Sequence, residues 1–359
     1  MRRPVRRGPA PSDRAELPMT SQKTRISTDL DFERPGKQIS YLRLVHSDDR
    51  HSFGVIPVPI ACLSNGKGPT VFLSAGNHGN EYEGQIVLHD LIRNLDPRVL
   101  NGRLIVMPAL NYPAVLGASR TSPIDHLNFN RVFPGDPAGS PSLALAHYVE
   151  TEILPRCQAA ADLHSGNPNS RYVLCAYLHG GGSAEFVRRK IAAARIFGAP
   201  WTIVAKETSN TGSMTAACDR LGVLMVSTEL GGGGTIDRHN LAMAKAGLMR
   251  LLHHYGVLPT RAPQEHFSQT RLLVPRGGAG LVMVPTRGLL EPCCEPGDRV
   301  AAGDLAGRLW SLDELDQPAR ELRFAQDGIV CVRRVHVPAT RGDHVAQVAS
   351  EVSEAELIG

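Results

Sequence analysis

Two observations predict an α/β fold, a mostly parallel or mixed sheet covered by helices, followed by a small C-terminal all-β sandwich domain. Between Pro69 and Tyr255 short apolar strands alternate with helical patterns, the alternation that buries a sheet between helices. After Pro263 glycine and proline punctuate short Val/Leu runs, and no helix longer than a turn or two is evident. A chain of 359 residues suits two domains at roughly 150 residues each. Its 42% hydrophobic and 21% charged content excludes a disordered, collagen-like or coiled-coil chain.

Residues 1–27 are rich in Arg, Pro and Ser without apolar periodicity and are expected to be a mobile basic arm. Arg2, Arg3, Arg6 and Arg7 match the whole net charge of +4, so the rest of the chain is near neutral and offers no basic surface to nucleic acid. The catalytic α/β domain is expected over 28–262. Its first strand is Thr70–Ala75, ending in Gly-Asn-His-Gly, and Tyr82–Asn94 follows as a helix with Ile86, Val87 and Leu91 on its apolar face. Arg103–Pro108 is a strand and Ser142–Leu154 a helix beginning after Pro141. Strands follow at Ala159–Leu163 and Tyr172–Leu178, a helix at Phe186–Phe197, and extended chain at Thr202–Ala205. Met214–Leu221 is helical, Val223–Thr228 a strand and Leu241–Tyr255 a helix.

Residues 263–359 form the expected β domain. Within it Gly288–Leu309 and Gly328–Val348 resemble each other, which suggests a two-fold sandwich of the biotinyl/lipoyl type over about 268–355. A carrier domain needs a lysine at a hairpin tip, and the last lysine is Lys245, so the domain is structural or forms one wall of a site. No apolar run approaches the roughly 20 residues of a membrane span, and no secretory signal pattern opens the chain. Seven scattered cysteines without C-x-x-C read as reduced thiols. A cytoplasmic protein with no membrane or nucleic-acid partner is expected, with a homo-oligomer left open.

Three strand ends each carry an unusual polar cluster: Ser74-Ala-Gly-Asn-His78-Gly-Asn-Glu81, Ala161-Asp-Leu-His164-Ser-Gly and Ser227-Thr-Glu229-Leu-Gly-Gly. In open α/β sheets ligands sit beyond the carboxyl ends of the strands, so these residues should meet in one crevice. His78, Glu81 and His164 make a His₂Glu set, which suits zinc with one position open better than calcium or magnesium. A lone His-x-x-Glu arises by chance, and His164 alone could be a satisfied core histidine. Both together at glycine-flanked strand ends point to a metal. Glu229 ends a buried run, where a carboxylate is costly unless paired or functional; as a general base it would activate water and then protonate a leaving amine. The Gly231–Gly234 run lacks the Lys-Ser/Thr of a phosphate loop and reads as conformational freedom. The polar stretch Asn111–Pro134, with Arg120, Asn128, Asn130 and Arg131, is a long loop of the kind that carries function.

GNHGNEYEG, NFNRVFPG, DLHSG and STELGGGG, spread over about residues 65–350, resemble the zinc-dependent succinylglutamate desuccinylase/aspartoacylase family, which is related to the metallocarboxypeptidases. Their order and spacing are most similar to its branch of N-acetyl-L-2,4-diaminobutyrate deacetylases of ectoine degradation. The resemblance implies a zinc-carboxypeptidase-like catalytic fold and one zinc per chain on His78, Glu81 and His164. It further implies Glu229 as catalytic base, Arg120 polarising the scissile carbonyl, and Asn130 with Arg131 holding the substrate carboxylate. The expected substrate is therefore a small N-acetylated amino acid. Alternatives are another N-acyl amino acid, a small carboxypeptidase, or a metal-free relative that only binds a ligand. Where the family usually has Asp, this chain has Asn80 and Asn128, which removes two carboxylates near the ligands. The family's aspartoacylases also use a tyrosine from the C-terminal domain, and the last tyrosine here is Tyr255. A distal amine on the substrate would call for an acidic or polar partner, for which Asp125 and Glu207 are the candidates.

Overall fold

The computed structural model describes residues 24–49, 51–205, 211–259 and 270–358. The described chain opens with β1 (Ile26–Ser27), β2 (Gly36–Asp48) and β3 (His51–Asn65), a long antiparallel ribbon that the sequence analysis left unassigned. Of the arm expected over 1–27, residues 1–23 lie outside the described residues. Ile26 and Ser27 pair with Leu44 and Arg43, and Ile26 is buried.

Strands and helices then alternate as expected: β4 (Thr70–Ala75), α1 (Glu83–Asn94), β5 (Gly102–Met107), α2 (Tyr112–Leu116), α3 (Pro141–Tyr148) and β6 (Ala159–Leu163). They continue through β7 (Ser170–Tyr172), β8 (Cys175–His179), α4 (Ala184–Phe197), β9 (Trp201–Ala205), α5 (Met214–Leu221), β10 (Leu224–Glu229) and α6 (Arg238–His254). The sheet order β3-β5-β4-β6-β10-β8-β9 makes β5, β4, β6 and β10 one parallel block. β8 and β9, parallel to each other, run against it. The sheet is mixed because β8 enters antiparallel beside β10.

Helices α1, α4 and α6 cover one face through Leu88, Ile191 and Leu248, and α3 and α5 cover the other through Leu145 and Met214. Their ends follow capping chemistry. Ser183 and Ser213 accept hydrogen bonds from Phe186 N and Ala216 N, and Asp237 accepts one from Asn240 N.

Two expected elements divide. The single strand Tyr172–Leu178 becomes β7, which turns out of the block, and β8, which stays in it. The helix Ser142–Leu154 keeps its α geometry only to Tyr148. It loosens into a π turn at Val149–Ile153 and stops at Leu154–Arg156, where Pro155 cannot donate to the helix ladder.

Past the undescribed residues 260–269 the chain forms β11 (Arg271–Pro275), β12 (Leu281–Met283), β13 (Gly288–Pro292), β14 (Arg299–Val300), β15 (Leu305–Trp310), β16 (Arg320–Arg323), β17 (Gly328–Arg334), β18 (Pro338–Ala339), β19 (His344–Val352) and α7 (Glu354–Ile358). A four-stranded sheet, β16-β15-β13-β18, packs over its own core of Leu290, Leu309, Phe324 and Val345. The other strands prolong the main sheet, because β11 pairs in parallel with β9 and β19 and β17 follow it. β17 also pairs with β7, setting Val332 opposite Tyr172. Among the described residues no helix is long and apolar enough to cross a membrane. All seven cysteines are free, and only Cys293 is not buried.

One close approach fixes α1 over the block. A Cβ on Gly84 would lie 2.3 Å from Leu163 O, immediately before His164. Gly84→Ala therefore forces the helix away from β6, and overpacking of this kind costs about 1–3 kcal/mol. Urea unfolding should show that loss; unchanged stability would mean that α1 has slack over the sheet.

Candidate metal centre and cleft

The parallel register decides which residues meet. Ser74 of β4 and Ser227 of β10 both stand beside Asp162 of β6. The three strands therefore end together, and His78 and Glu81 in the β4–α1 turn come beside His164, just after β6, and Glu229, the last residue of β10. The strand-end clusters do converge.

His78, Glu81 and His164 are buried and bring their ligand atoms within 4.8 Å of one another. Glu81 lies between the imidazoles, Oε1 2.8 Å from His78 Nδ1 and Oε2 2.7 Å from His164 Nδ1. Both rings thus turn the same nitrogen inward, and each outer nitrogen has its own anchor. His164 Nε2 is 2.7 Å from Asp162 Oδ2, and Asp162 accepts hydrogen bonds from Ser74 Oγ and Asn77 Nδ2. His78 Nε2 is 3.1 Å from Asn128 Oδ1. Convergent imidazoles whose far nitrogens are held by fixed oxygens are the arrangement of histidines that ligate metals. The donor set fits a metal ion.

Asn128, one of the two departures from Asp, thus still orients His78 through its amide oxygen. Asn80 makes no such link; its Oδ1 is buried without a hydrogen-bond partner.

Charge balance matches this geometry. Burial pushes the Glu81 carboxyl up, but the two imidazoles outweigh it and hold it below the carboxylate range. Burial likewise opposes a proton on His164, yet Asp162 and Glu81 hold that ring well above its ordinary value. His78 is pulled down, by burial first. Burial and the neighbouring Glu81 raise the Glu229 carboxyl to about 8, against the pull of His164 and Arg120. Its Oε2 is buried with no hydrogen-bond partner.

These residues line a cleft of about 220 Å³, the scale of a small molecule. Arg120 reaches in from the 111–134 loop, its Nη1 donating to Glu81 Oε1 at 3.3 Å. Asn130 and Arg131 also line it. Asn130 Oδ1 accepts from Met214 N, tying the loop to the start of α5. Asp125 is not there: its carboxylate accepts from Ser140 Oγ, Ser142 N and Ser142 Oγ and anchors α3. Glu207 lies outside the described residues. Gly231–Gly234 all take positive φ, and a Cβ on Gly232 would lie 2.2 Å from Ser170 O. The run lets the chain turn tightly against the 166–170 loop.

Asp162, although it sits in the DLHSG motif, carries no role in the sequence expectations, and neither do Tyr172, Tyr177 and His179, which also line the cleft. The signal for Tyr177 and His179 was a polar or aromatic residue at alternate positions of an otherwise apolar strand. The tyrosines at the cleft come from β7 and β8, not from the C-terminal strands.

The succinylglutamate desuccinylase/aspartoacylase catalytic domain matches residues 67–255, and the chain belongs to that family. Among individual relatives, it is 35% identical to N-alpha-acetyl-L-2,4-diaminobutyric acid deacetylase of Halomonas elongata over 338 residues, 94% of this chain and 98% of that protein. It is 36% identical to the ectoine utilization protein EutE (DoeB) of Ruegeria pomeroyi, whose product-bound structure superposes with a TM-score of 0.87 over 92% of this chain and all of the other. A succinylglutamate desuccinylase/aspartoacylase structure from Rhodobacter sphaeroides matches at 36% identity and a TM-score of 0.85, over the same shares.

Asp162→Asn keeps the shape but weakens the anchor of His164. Loss of such an outer partner costs about 10–100-fold in metal affinity, which competition with a chelator should show. Unaltered affinity would mean that the charge of Asp162 is not what anchors the ring.

Proposed function

We propose that the chain is a zinc-dependent amidohydrolase that removes the acetyl group from a small N-acetylated amino acid, with Nα-acetyl-L-2,4-diaminobutyrate as its substrate. The observation that carries this reading is the buried His78–Glu81–His164 cluster with the unpartnered Glu229 oxygen beside it. The name of the Halomonas elongata relative supports the choice of substrate. The activity belongs to residues 28–262, with 263–359 as a supporting β region that backs the cleft through the β17–β7 pairing.

Bound by His78, Glu81 and His164, zinc supplies Lewis acidity at the acyl carbonyl and makes a water acidic enough to ionise near neutral pH. The chain's own residues do the rest. Glu229 takes the proton of the attacking water on its unpartnered oxygen, and the same carboxyl then hands that proton to the amine that leaves. Its raised proton affinity suits it to hold that proton between the two steps. Arg120 presents a guanidinium to the carbonyl oxygen as negative charge develops there. Asn130 and Arg131 grip the α-carboxylate, Arg131 as a planar fork, so that the amide meets the cluster in one orientation.

A hydrolysis screen over acetyl, succinyl and formyl amino acids, reading free amine, tests the reaction. Acetylated diaminobutyrate should be the best substrate; a faster succinyl or peptide substrate would overturn the choice. Glu229→Gln should retain zinc and lose about 10²–10⁴ in rate, the worth of general acid–base catalysis. A near-normal rate would place the base elsewhere. Arg131→Lys should cost about 2–3 kcal/mol in kcat/KM, the scale of a hydrogen bond to a charged group. That loss should disappear on substrates whose α-carboxylate is an amide; an equal loss on both would make Arg131 structural.

A further inference from the structure

Among the described residues the polar terminus of the proposed substrate's side chain has no acidic partner, since Asp125 serves α3. Strand β8 supplies candidates by virtue of its direction. It runs against β10 with Cys175 opposite Glu229 and Tyr177 opposite Ser227, so β8 leads away from the metal cluster along one face of the sheet. At about 3.4 Å per residue, Tyr177 stands roughly 7 Å and His179 roughly 14 Å along the strand from Glu229. An extended 2,4-diaminobutyryl chain spans roughly 6 Å from acyl carbon to terminal nitrogen. That terminus reaches the level of Tyr177, with His179 closing the cleft behind it.

We propose that Tyr177 and His179 form an uncharged hydrogen-bonding subsite that recognises the polar terminus of the substrate's side chain.

Three further observations support it. First, among the described residues lining the cleft the only carboxylates are Glu81 and Glu229, both at the metal end, and the far end is lined by Tyr177 and His179. Second, the backbone beneath the subsite is fixed: the buried Lys190 pairs with Asp219 at 2.7 Å and donates to His179 O and Gly181 O at 3.0 Å. Third, both side chains stay neutral. Burial, with Lys190 and Arg131 nearby, lowers the His179 imidazole to about 4. Burial first, and then Glu229, raises the Tyr177 phenol well above its ordinary value. A neutral imidazole and a phenol each accept and donate one hydrogen bond, so they read a hydroxyl or an ammonium alike. An apolar terminus would leave both groups desolvated without a partner, which is how a polar pocket rejects a methyl isostere.

The inference rests on the deacetylase reading, and matched substrates separate the two. The wild-type protein is assayed on the N-acetyl derivatives of 2,4-diaminobutyrate, homoserine and norvaline, which end in ammonium, hydroxyl and methyl on the same carbon skeleton. The amino and hydroxyl substrates should exceed norvaline by tenfold or more in kcat/KM, and Tyr177→Phe combined with His179→Phe should bring that ratio to within threefold. His179→Asn, which keeps hydrogen-bonding capacity, should retain most of the preference and guards against a folding defect in the double variant. A preference unchanged in the double variant overturns the subsite while the deacetylase reading stands. A wild-type preference for ammonium alone, with homoserine no better than norvaline, also overturns it, since the terminus would then be read by charge. Hydrolysis of none of the three overturns the deacetylase reading, and the subsite with it.

Discussion

Ser74, Asp162 and Ser227 stand side by side on three neighbouring parallel strands, and that register is what the rest of the site depends on. It brings the β4–α1 turn, the end of β6 and the end of β10 to one place, so a histidine and a glutamate from the first, a histidine from the second and a glutamate from the third face each other. It also lets Asp162, paired through its backbone on both sides, receive Ser74 and Asn77 on one carboxylate and hold the His164 ring with it. A slip of one residue in β6 would send Asp162 and His164 to the other face of the sheet. Gly84 completes the constraint by letting α1 descend onto Leu163.

A cost accompanies this arrangement. Two imidazoles and a carboxylate are buried within hydrogen-bond reach of one another, and a further carboxyl, Glu229, keeps an oxygen with no partner. Such a group lowers stability in a protein that does nothing with it. A metal ion and an attacking water would give every one of these atoms a partner, which is why the cluster reads as a site and not as a piece of core.

The metal-side residues were legible in the sequence because each lies at a strand end flanked by glycines, where an ionisable side chain has no packing reason to be. The far side of the cleft was not. Tyr172 and Tyr177 belong to a stretch that reads as one strand, with His179 just after it, and its division into β7 and β8 depends on pairing with β17 and β10, which no local pattern encodes. The antiparallel entry of β8 is equally invisible, since a short apolar run carries no direction. The β2–β3 ribbon went unassigned for a similar reason, its pattern being interrupted by prolines at 57 and 59. Asp125 looked available because it is an acid in a functional loop. Only the tertiary contacts show it bound to Ser140 and Ser142.

The central claim is that catalysis belongs to one zinc ion on His78, Glu81 and His164, and a metal titration tests it most directly. Protein stripped with a chelator and returned to measured amounts of zinc should regain acetate release from Nα-acetyl-L-2,4-diaminobutyrate in proportion to the ion bound. Recovery should level off at one ion per chain, and His164→Ala should neither bind zinc tightly nor recover. Full activity in the stripped protein, or one tightly bound zinc per chain in His164→Ala, would contradict the account.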